Sequence, residues 1–286
     1  MLVGDPMNDL LTIDRRAFAD AYGNRPFLLE HRLTDHELFS LDSLAELADF
    51  LPTKDIEHNS ADVPELLPGG EAPRLDATPG EVVRGIETNG CWVGLRHVEK
   101  HPDYNRLLDE ALDEVVPHVV EVDGEMRRRM GFIFITTPGG TTPAHIDPEH
   151  NFLLQVRGWK EVTVALWPSK RAEQIELEGQ VGVGKNCNVE AMPEDAYTFR
   201  LDPGAGVYIP IYAPHLVRNG DTISVSIAIT WHTQRSEREF IATSLNARLR
   251  KLKLSPSLPG DRPLSDKAKA GLMRAVHRVR GTGMAS

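Results

Sequence analysis

Between Met130 and Trp231 the chain is a series of short β-branched and aromatic runs, each cut off by glycine, proline or a polar turn: GFIFITTPGG, TPAHID, NFLLQV, WKEVTVALWP, YTFRL, GVYIPIY and TISVSIAITW. Such runs favour strands, because branched side chains pack well on a pleated surface. About seven or eight of them follow one another with tight turns and little helix between. A parallel sheet would need long crossovers, which are missing here, so the spacing predicts an antiparallel sandwich or barrel, jelly-roll type included.

The flanks read differently. Up to about residue 125 the pattern is mixed and mostly helical. Ser43-Leu-Ala-Glu46 and Thr78-Pro79-Gly-Glu81 both have the form of capping boxes, the second with proline at the first helical position. Pro102 to Val116 places Tyr104, Leu107, Leu108, Ala111, Leu112 and Val115 at helical spacing. HNSADVPELLPGGEAPR, from His58, is dense in breakers and is expected to be a long loop. After Trp231 helix is expected over Glu237 to Leu252, then a SPSLPG break, then Ser265 as N-cap of a basic helix ending at Gly281. The expectation is an α+β chain in three parts: an N-terminal helical and loop region (1–125) packed on a jelly-roll core (126–232), and a basic C-terminal helical extension (233–286).

Charge and cysteine content narrow the function. The 286 residues carry a net charge of −10, from 32 basic and 42 acidic side chains, which speaks against a protein that coats nucleic acid. The average hides a basic tail: residues 233–286 hold 12 Lys/Arg against 4 Asp/Glu, a local +8 that leaves −18 for the rest. A helical appendage packing on the body or dimerising beside it explains that tail, with binding of nucleic acid or an acidic partner as the other option. Asp5 and Asp9 stand where a signal peptide would need basic and then apolar residues, and no apolar run is long enough to span a membrane. A cytoplasmic protein is expected. Two cysteines, Cys91 and Cys187, cannot build a disulfide framework or a Cys-rich zinc module, so a metal would fall to histidine and carboxylate.

His145-Ile146-Asp147 offers such ligands. Residues i and i+2 of a strand share a face, so this triplet sets an imidazole beside a carboxylate. A third imidazole from another strand would complete a two-His, one-carboxylate facial triad, which leaves open positions on a non-heme Fe(II). His215, which follows GVYIPIY and Pro214, is the candidate. In the hairpin expected over LLQV-RG-WKEVTVALW, alternation puts Lys160 on a face with Val162, Val164 and Leu166. An unpaired ammonium there would cost on the order of several kcal/mol, so Lys160 needs an anion unless it reaches solvent.

His150, five residues after His145, points away from it on a strand and is expected beside the site or on the surface, with Glu149 similar. His31, His58 and His97 are expected to be structural, the cysteines small buried hydrophobes, and GVGKN at 182–186 a loop without P-loop spacing. Tyr208, Tyr212 and Trp231 fit a substrate cavity and a core equally well.

The stretch from Thr142 to Lys160, TPAHIDPEHNFLLQVRGWK, followed by YIPIYAPH ending at His215 and ISVS ending at Ser226, resembles the JmjC/cupin-like 2-oxoglutarate oxygenases, with the asparaginyl hydroxylases nearest in pattern among the well-understood members. Uncharacterised bacterial cupin-like proteins are nearer still. The resemblance covers roughly residues 130–232 and rests on H-x-D, an Asn four residues after the Asp, and Q-x-x-G-x-K with the lysine fifteen after the first histidine. It implies that His145, Asp147 and His215 hold Fe(II), that Lys160 and the Thr142 hydroxyl bind the distal carboxylate of 2-oxoglutarate, and that Asn151 and Ser226 lie close to that co-substrate. It also implies a hydroxylase or demethylase acting on a small molecule, an amino-acid side chain or a peptide, and terminal helices that can form a homodimer. Ile146 replaces a frequent tyrosine, Ala213-Pro214 replaces bulky aromatics, and Ser226 replaces a usual asparagine, so the family's substrates do not carry over. Two rivals stay open here: a metal-binding cupin enzyme that does not use 2-oxoglutarate, and a non-catalytic regulator that binds nucleic acid through the basic tail.

Overall fold

The computed structural model describes residues 10–60, 77–180 and 188–280. The N-terminal region supplies β1 (Leu11–Thr12), α1 (Arg15–Ala21), β2 (Phe27–His31), α2 (Leu41–Phe50), β3 (Ile56–Ser60), α3 (Pro79–Arg84), β4 (Cys91–Arg96), α4 (Pro102–Asp113) and α5 (Val116–Asp123). The core follows as β5 (Met126–Thr136), β6 (Thr141–His145), β7 (His150–Arg157), β8 (Lys160–Ala165), α6 (Lys170–Gln180), β9 (Ala196–Leu201), β10 (Ala205–Ile209), β11 (His215–Asn219) and β12 (Ser224–Thr233). Helices α7 (Gln234–Lys251) and α8 (Pro263–Arg280) close the chain.

The core strands form two antiparallel four-stranded layers, β10-β7-β12-β5 facing β6-β11-β8-β9, which is the expected double-stranded β-helix within an α+β chain. Strands from the mostly helical region lengthen the first layer on both sides, giving an eight-stranded order β1-β2-β10-β7-β12-β5-β4-β3. These four strands were not anticipated. They are short or interrupted, and their partners lie far away in sequence: β2 pairs with β10, and β4 with β5.

Burial follows from this layering. On β7, Phe152, Leu154 and Val156 join the apolar core behind the eight-stranded sheet, together with Leu44 and Leu47 of α2 and Leu108 and Leu112 of α4. Leu153 points the other way, into a smaller interior cluster with Val162, Val164, Val207, Val217 and Ala228. A strand buried on both faces loses its polar alternation, which is why NFLLQV reads as an almost continuous apolar run.

Five local expectations shift. The segment after β7 is not a hairpin ladder: β7 pairs with β10 and β12, whereas β8 pairs with β11 and β9 in the opposite layer. Gly158 makes that passage feasible, at φ +68° and so close to the Ile223 carbonyl that a Cβ would sit 2.2 Å from its oxygen. Helix α6, between β8 and β9, was unforeseen. The box at Thr78 and Glu81 forms as expected, but α2 is capped by Ser40, whose hydroxyl accepts from Ser43 N at 3.1 Å. Likewise α8 begins at Pro263, so Ser265 lies in its first turn rather than at its cap. Of the expected long loop, residues 58–60 belong to β3 and the remainder falls outside the described residues. Among the described residues no helix is long and apolar enough to cross a membrane.

Candidate active site

Strands β6 and β11 are neighbours, and His145 and His215 face each other across the ladder with ring centroids 4.1 Å apart. The register slips between this pair and Val217–Thr142, so that three steps along β6 match two along β11. Such a bulge turns Thr142 and His145, three residues apart, toward the same face, and Pro143 sits where a ladder N–H is dispensable. The adjoining pairs His215–Val164 and Val217–Val162 show that this face is the interior one, shared with Lys160 by alternation.

Asp147 lies just past the end of β6, so the loop rather than strand alternation brings it in. Its carbonyl accepts from Tyr212 N at 2.9 Å, where Tyr212 takes a left-handed turn at φ +62°. Its carboxylate oxygens stand 3.8 Å from His145 Nε2 and 3.4 Å from His215 Nε2. One ligand atom from each of the three residues lies within 4.8 Å of the others. His145 Nδ1 meets the Pro143 carbonyl at 2.8 Å and His215 Nδ1 meets the Ala213 carbonyl at 3.0 Å. A carbonyl only accepts, so both Nδ1 atoms carry the proton and both Nε2 lone pairs are free to converge on a cation. Burial and then the neighbouring His215 pull the His145 pKa down. For Asp147 burial works upward, but the two imidazoles outweigh it and hold the carboxyl well below the usual range. Asp147 likewise outweighs the effect of burial on His215 and raises it. A carboxylate with two imidazole nitrogens, open on one side where Asp147 is 34% exposed, fits a divalent transition metal and leaves positions for exchangeable ligands.

Lys160 is 3% exposed at the start of β8, and its Nζ donates to Ser226 Oγ of β12 at 2.7 Å, across the barrel interior. No carboxylate among the described residues pairs with it, and burial pushes its pKa down to about 7. Two further interior groups keep bonding capacity: Asn151 Oδ1 and Gln155 Oε1 are buried without a hydrogen-bond partner among the described residues. Gln155 stands opposite Ser226 in the ladder, and its amide donates to Ser224 Oγ at 3.1 Å. The interior thus brings together His145, Asp147 and His215 at one end with Lys160, Ser226, Asn151 and Thr142 on the facing walls. No hydrogen bond among the described residues joins Thr142 to Lys160.

Other candidates separate cleanly. His150 is 2% exposed and faces the opposite side of the wall, against Tyr208 and Asp123, so it is neither a ligand nor a surface residue. Glu149 is mostly buried with His232 Nε2 at 3.7 Å, its pKa pushed up to about 8 by burial and then by Asp147. Tyr208 and Trp231 belong to the core behind the large sheet, and Tyr212 to a cluster with Leu177 of α6, so none lines the interior. His31, which contacts the Gln155 carbonyl at 2.8 Å, and His97, paired with Glu99, stay outside the site. Cys91 is a buried free thiol, whereas Cys187 and the GVGKN loop lie outside the described residues.

Trp92 escaped notice in the sequence: its indole lies flat over Gly94, stacks on Phe134 at 5.9 Å, and keeps a buried N–H without a partner. Only the β4–β5 register reveals it. A cleft of about 400 Å³, lined by Asn24, Lys170, Glu173, Arg235, Glu239 and Asp261 among others, adjoins the site through Ala213 and contains no member of the triad.

Residues 115–237 match the JmjC domain family. The lysine-specific demethylase JMJ30 of Arabidopsis thaliana is 27% identical over 150 residues, which is 48% of this chain and 34% of that protein, so the match spans about a third of the curated relative's length. Among solved structures, YcfD of Escherichia coli superposes with a TM-score of 0.56 at 17% identity, over 94% of this chain and 69% of that one. YcfD described as a ribosomal oxygenase in complex with cobalt and 2-oxoglutarate gives a TM-score of 0.54 at 17% identity, over 93% and 67%. At these identities the structural likeness carries the fold. Motif, strand order and family model agree: residues 115–237 match the JmjC domain family and carry a double-stranded β-helix like that of the JmjC/cupin-like oxygenases.

Proposed function

We propose that this chain is an Fe(II)- and 2-oxoglutarate-dependent oxygenase that hydroxylates a C–H bond of an amino-acid side chain, most simply within a peptide or protein. Lys160 carries the assignment: an ammonium sealed in the barrel interior beside a serine, with no carboxylate among the described residues, needs the anion that a dicarboxylic co-substrate supplies. His145, Asp147 and His215 would hold the metal. Bound Fe(II) would supply the oxidising chemistry, with dioxygen as the oxidant whose two oxygen atoms go to succinate, formed with CO2 from 2-oxoglutarate, and to the hydroxylated C–H bond.

The chain's own residues bind and orient. Lys160 fixes the distal carboxylate and so sets how far the keto acid reaches toward the triad. Thr142 and Asn151, on facing walls, offer a hydroxyl and an amide to the same molecule. Val162, Val164, Val217 and Phe134 keep bulk water out around it. The half-open side at Asp147 leaves room for a side chain presented from outside. A cytoplasmic homodimer belongs to the same proposal, with Leu264 and Leu272 of α8 exposed on the C-terminal extension for a second copy to cover.

The test is anaerobic binding of 2-oxoglutarate to Fe(II)-loaded protein, followed by the visible metal-to-ligand charge-transfer band. The band is expected in the wild type, absent in His145→Ala, and to need far more co-substrate in Lys160→Ala. A metallated, folded protein that forms no band rules out the co-substrate and leaves a metal-binding cupin without it.

A further inference from the structure

Three residues beyond Asp147, β7 begins with a side chain that the proposed chemistry does not use. His150 is buried behind the barrel wall in a group of near-parallel rings: Tyr22 lies 5.0 Å away at 20° and Trp231 5.6 Å away at 17°, and Trp231 Nε1 donates to Tyr22 Oη at 3.4 Å. Tyr208 Oη accepts from Gly23 N at 3.0 Å and sits 2.8 Å from His150 Nδ1. Nδ1 thus shares one hydrogen bond with the tyrosine hydroxyl, and Nε2 faces the Asp123 carboxylate at 3.3 Å without the alignment of a hydrogen bond. Asp123, the last residue of α5, also receives Arg235 from the first turn of α7 at 3.1 Å, and Arg235 in turn holds Glu239 at 3.0 Å. One imidazole thus gathers the ends of α1, α5 and α7 and the strand β10 at the point where the chain leaves the Asp147 loop.

On its outer side that loop is pinned before Asp147 by Ile146, buried with Leu177 and Tyr212. Pro148 has no N–H to give, and the Asp147 carbonyl is held by a single contact with Tyr212 N. Beyond it Glu149 is mostly buried against His232, and His150, paired with Trp231 in the ladder, is the first strand residue. A rotation or shift of His150 therefore passes through two residues to the carboxylate between His145 and His215.

We infer that His150 is a positioning residue: clamped by Asp123 and Tyr208 within the group of rings, it sets the Asp147 loop, so that helices α1, α5 and α7 govern metal affinity from behind the barrel wall. This rests on the metal-site assignment above. Burial works to raise the Asp123 carboxyl, but His150 and Arg235 hold it below its ordinary value, so the clamp is charged as well as shaped.

The test uses the full chain and Co(II) alone, reading both the dissociation constant and the d–d absorption, which reports ligand geometry. His150→Phe keeps a ring in the group and removes both polar contacts; it is expected to weaken Co(II) binding about tenfold, the lower end for outer partners of metal ligands, and to alter the d–d band. Arg235→Gln, at the half-exposed end of the chain of contacts, is expected to weaken it roughly threefold, as for a solvent-accessible ion pair. Leu47→Ala, a core truncation on α2, is expected to lower stability and leave Co(II) binding and spectrum as in the wild type. A folded His150→Phe protein with wild-type affinity and spectrum overturns the inference. If His150→Phe does not fold, unchanged Co(II) affinity in Arg235→Gln overturns it. A wild-type protein that binds no Co(II), or binding that survives His145→Ala, removes the metal site itself and this inference with it.

Discussion

Two histidine–carboxylate groups lie three residues apart in sequence and on opposite sides of one wall, and they differ in what their nitrogens have left to give. In the group formed by His145, Asp147 and His215, backbone carbonyls occupy both Nδ1 atoms, both Nε2 atoms converge on Asp147 beyond hydrogen-bond distance or nearly so, and one side is open. In the group formed by His150 and Asp123, Tyr208 takes one nitrogen, Asp123 and Arg235 neutralise each other, and the rings of Tyr22 and Trp231 pack against the imidazole. The first arrangement conserves lone pairs for a cation. The second spends them on holding the fold. Residue type and proximity are the same in both, so they do not distinguish a ligand site from a buried structural network; the direction of the unused lone pairs does.

The contrast can be broken at either group. His145→Ala has the largest expected effect: removing one of the three proposed ligands should reduce Co(II) or Fe(II) affinity by roughly a thousandfold or more, read by anaerobic titration, with thermal stability little changed. Asp123→Ala should chiefly cost stability, about 3 kcal/mol in denaturant unfolding, because the buried His150 loses its partner, and should weaken Co(II) binding only as far as His150→Phe does. A wild-type denaturation midpoint in Asp123→Ala would show that the network is not what holds these helices. Lys160→Ala should raise the dissociation constant of 2-oxoglutarate by about thirty- to a hundredfold, the size expected for a buried charge-assisted contact, and leave metal affinity alone.

Lys160 also sets a pH dependence. Its folded pKa of about 7 lies below its ordinary 10.5, so between those values the unfolded chain binds the extra proton and stability from this group rises with pH. A bound carboxylate reverses the preference by favouring the ammonium. Binding of 2-oxoglutarate above pH 7 should therefore take up a proton and weaken by up to about tenfold per pH unit, measured by calorimetry in buffers of different ionisation enthalpy. Proton-neutral binding at pH 8 would show that Lys160 is already charged in the free protein. Thr142→Val is the mildest probe: loss of one neutral hydrogen bond, about 1 kcal/mol, should raise the co-substrate constant roughly fivefold. An unchanged value would remove Thr142 from the binding set.

Much of the core was legible because its signals are local. Strand runs in 126–233, the capping box at Thr78 and the amphipathic helix at Pro102 each depend on residues close in sequence, and each is present. The inward face of Lys160 followed from alternation alone. Strands β1 to β4 were not legible, because their pairing is decided by distant partners rather than by period. The expected β7–β8 hairpin failed for a related reason: periodicity gives the faces of two strands but not whether they share a sheet, and Gly158 is the residue that lets the chain leave one layer for the other.

By itself the sequence determined the antiparallel class of the core, the residue types available to a metal, and the face on which Lys160 sits, since composition and alternation are properties of the chain. The tertiary structure alone decided three other things. The bulge at Pro143 turns Thr142 inward with His145, the loop at Tyr212 places Asp147 between two imidazoles, and the group of rings removes His150 from the ligand set. Each depends on contacts between segments tens of residues apart or more, whose geometry no local pattern encodes, because the same imidazole becomes a ligand or a structural group according to what the fold places at its two nitrogens.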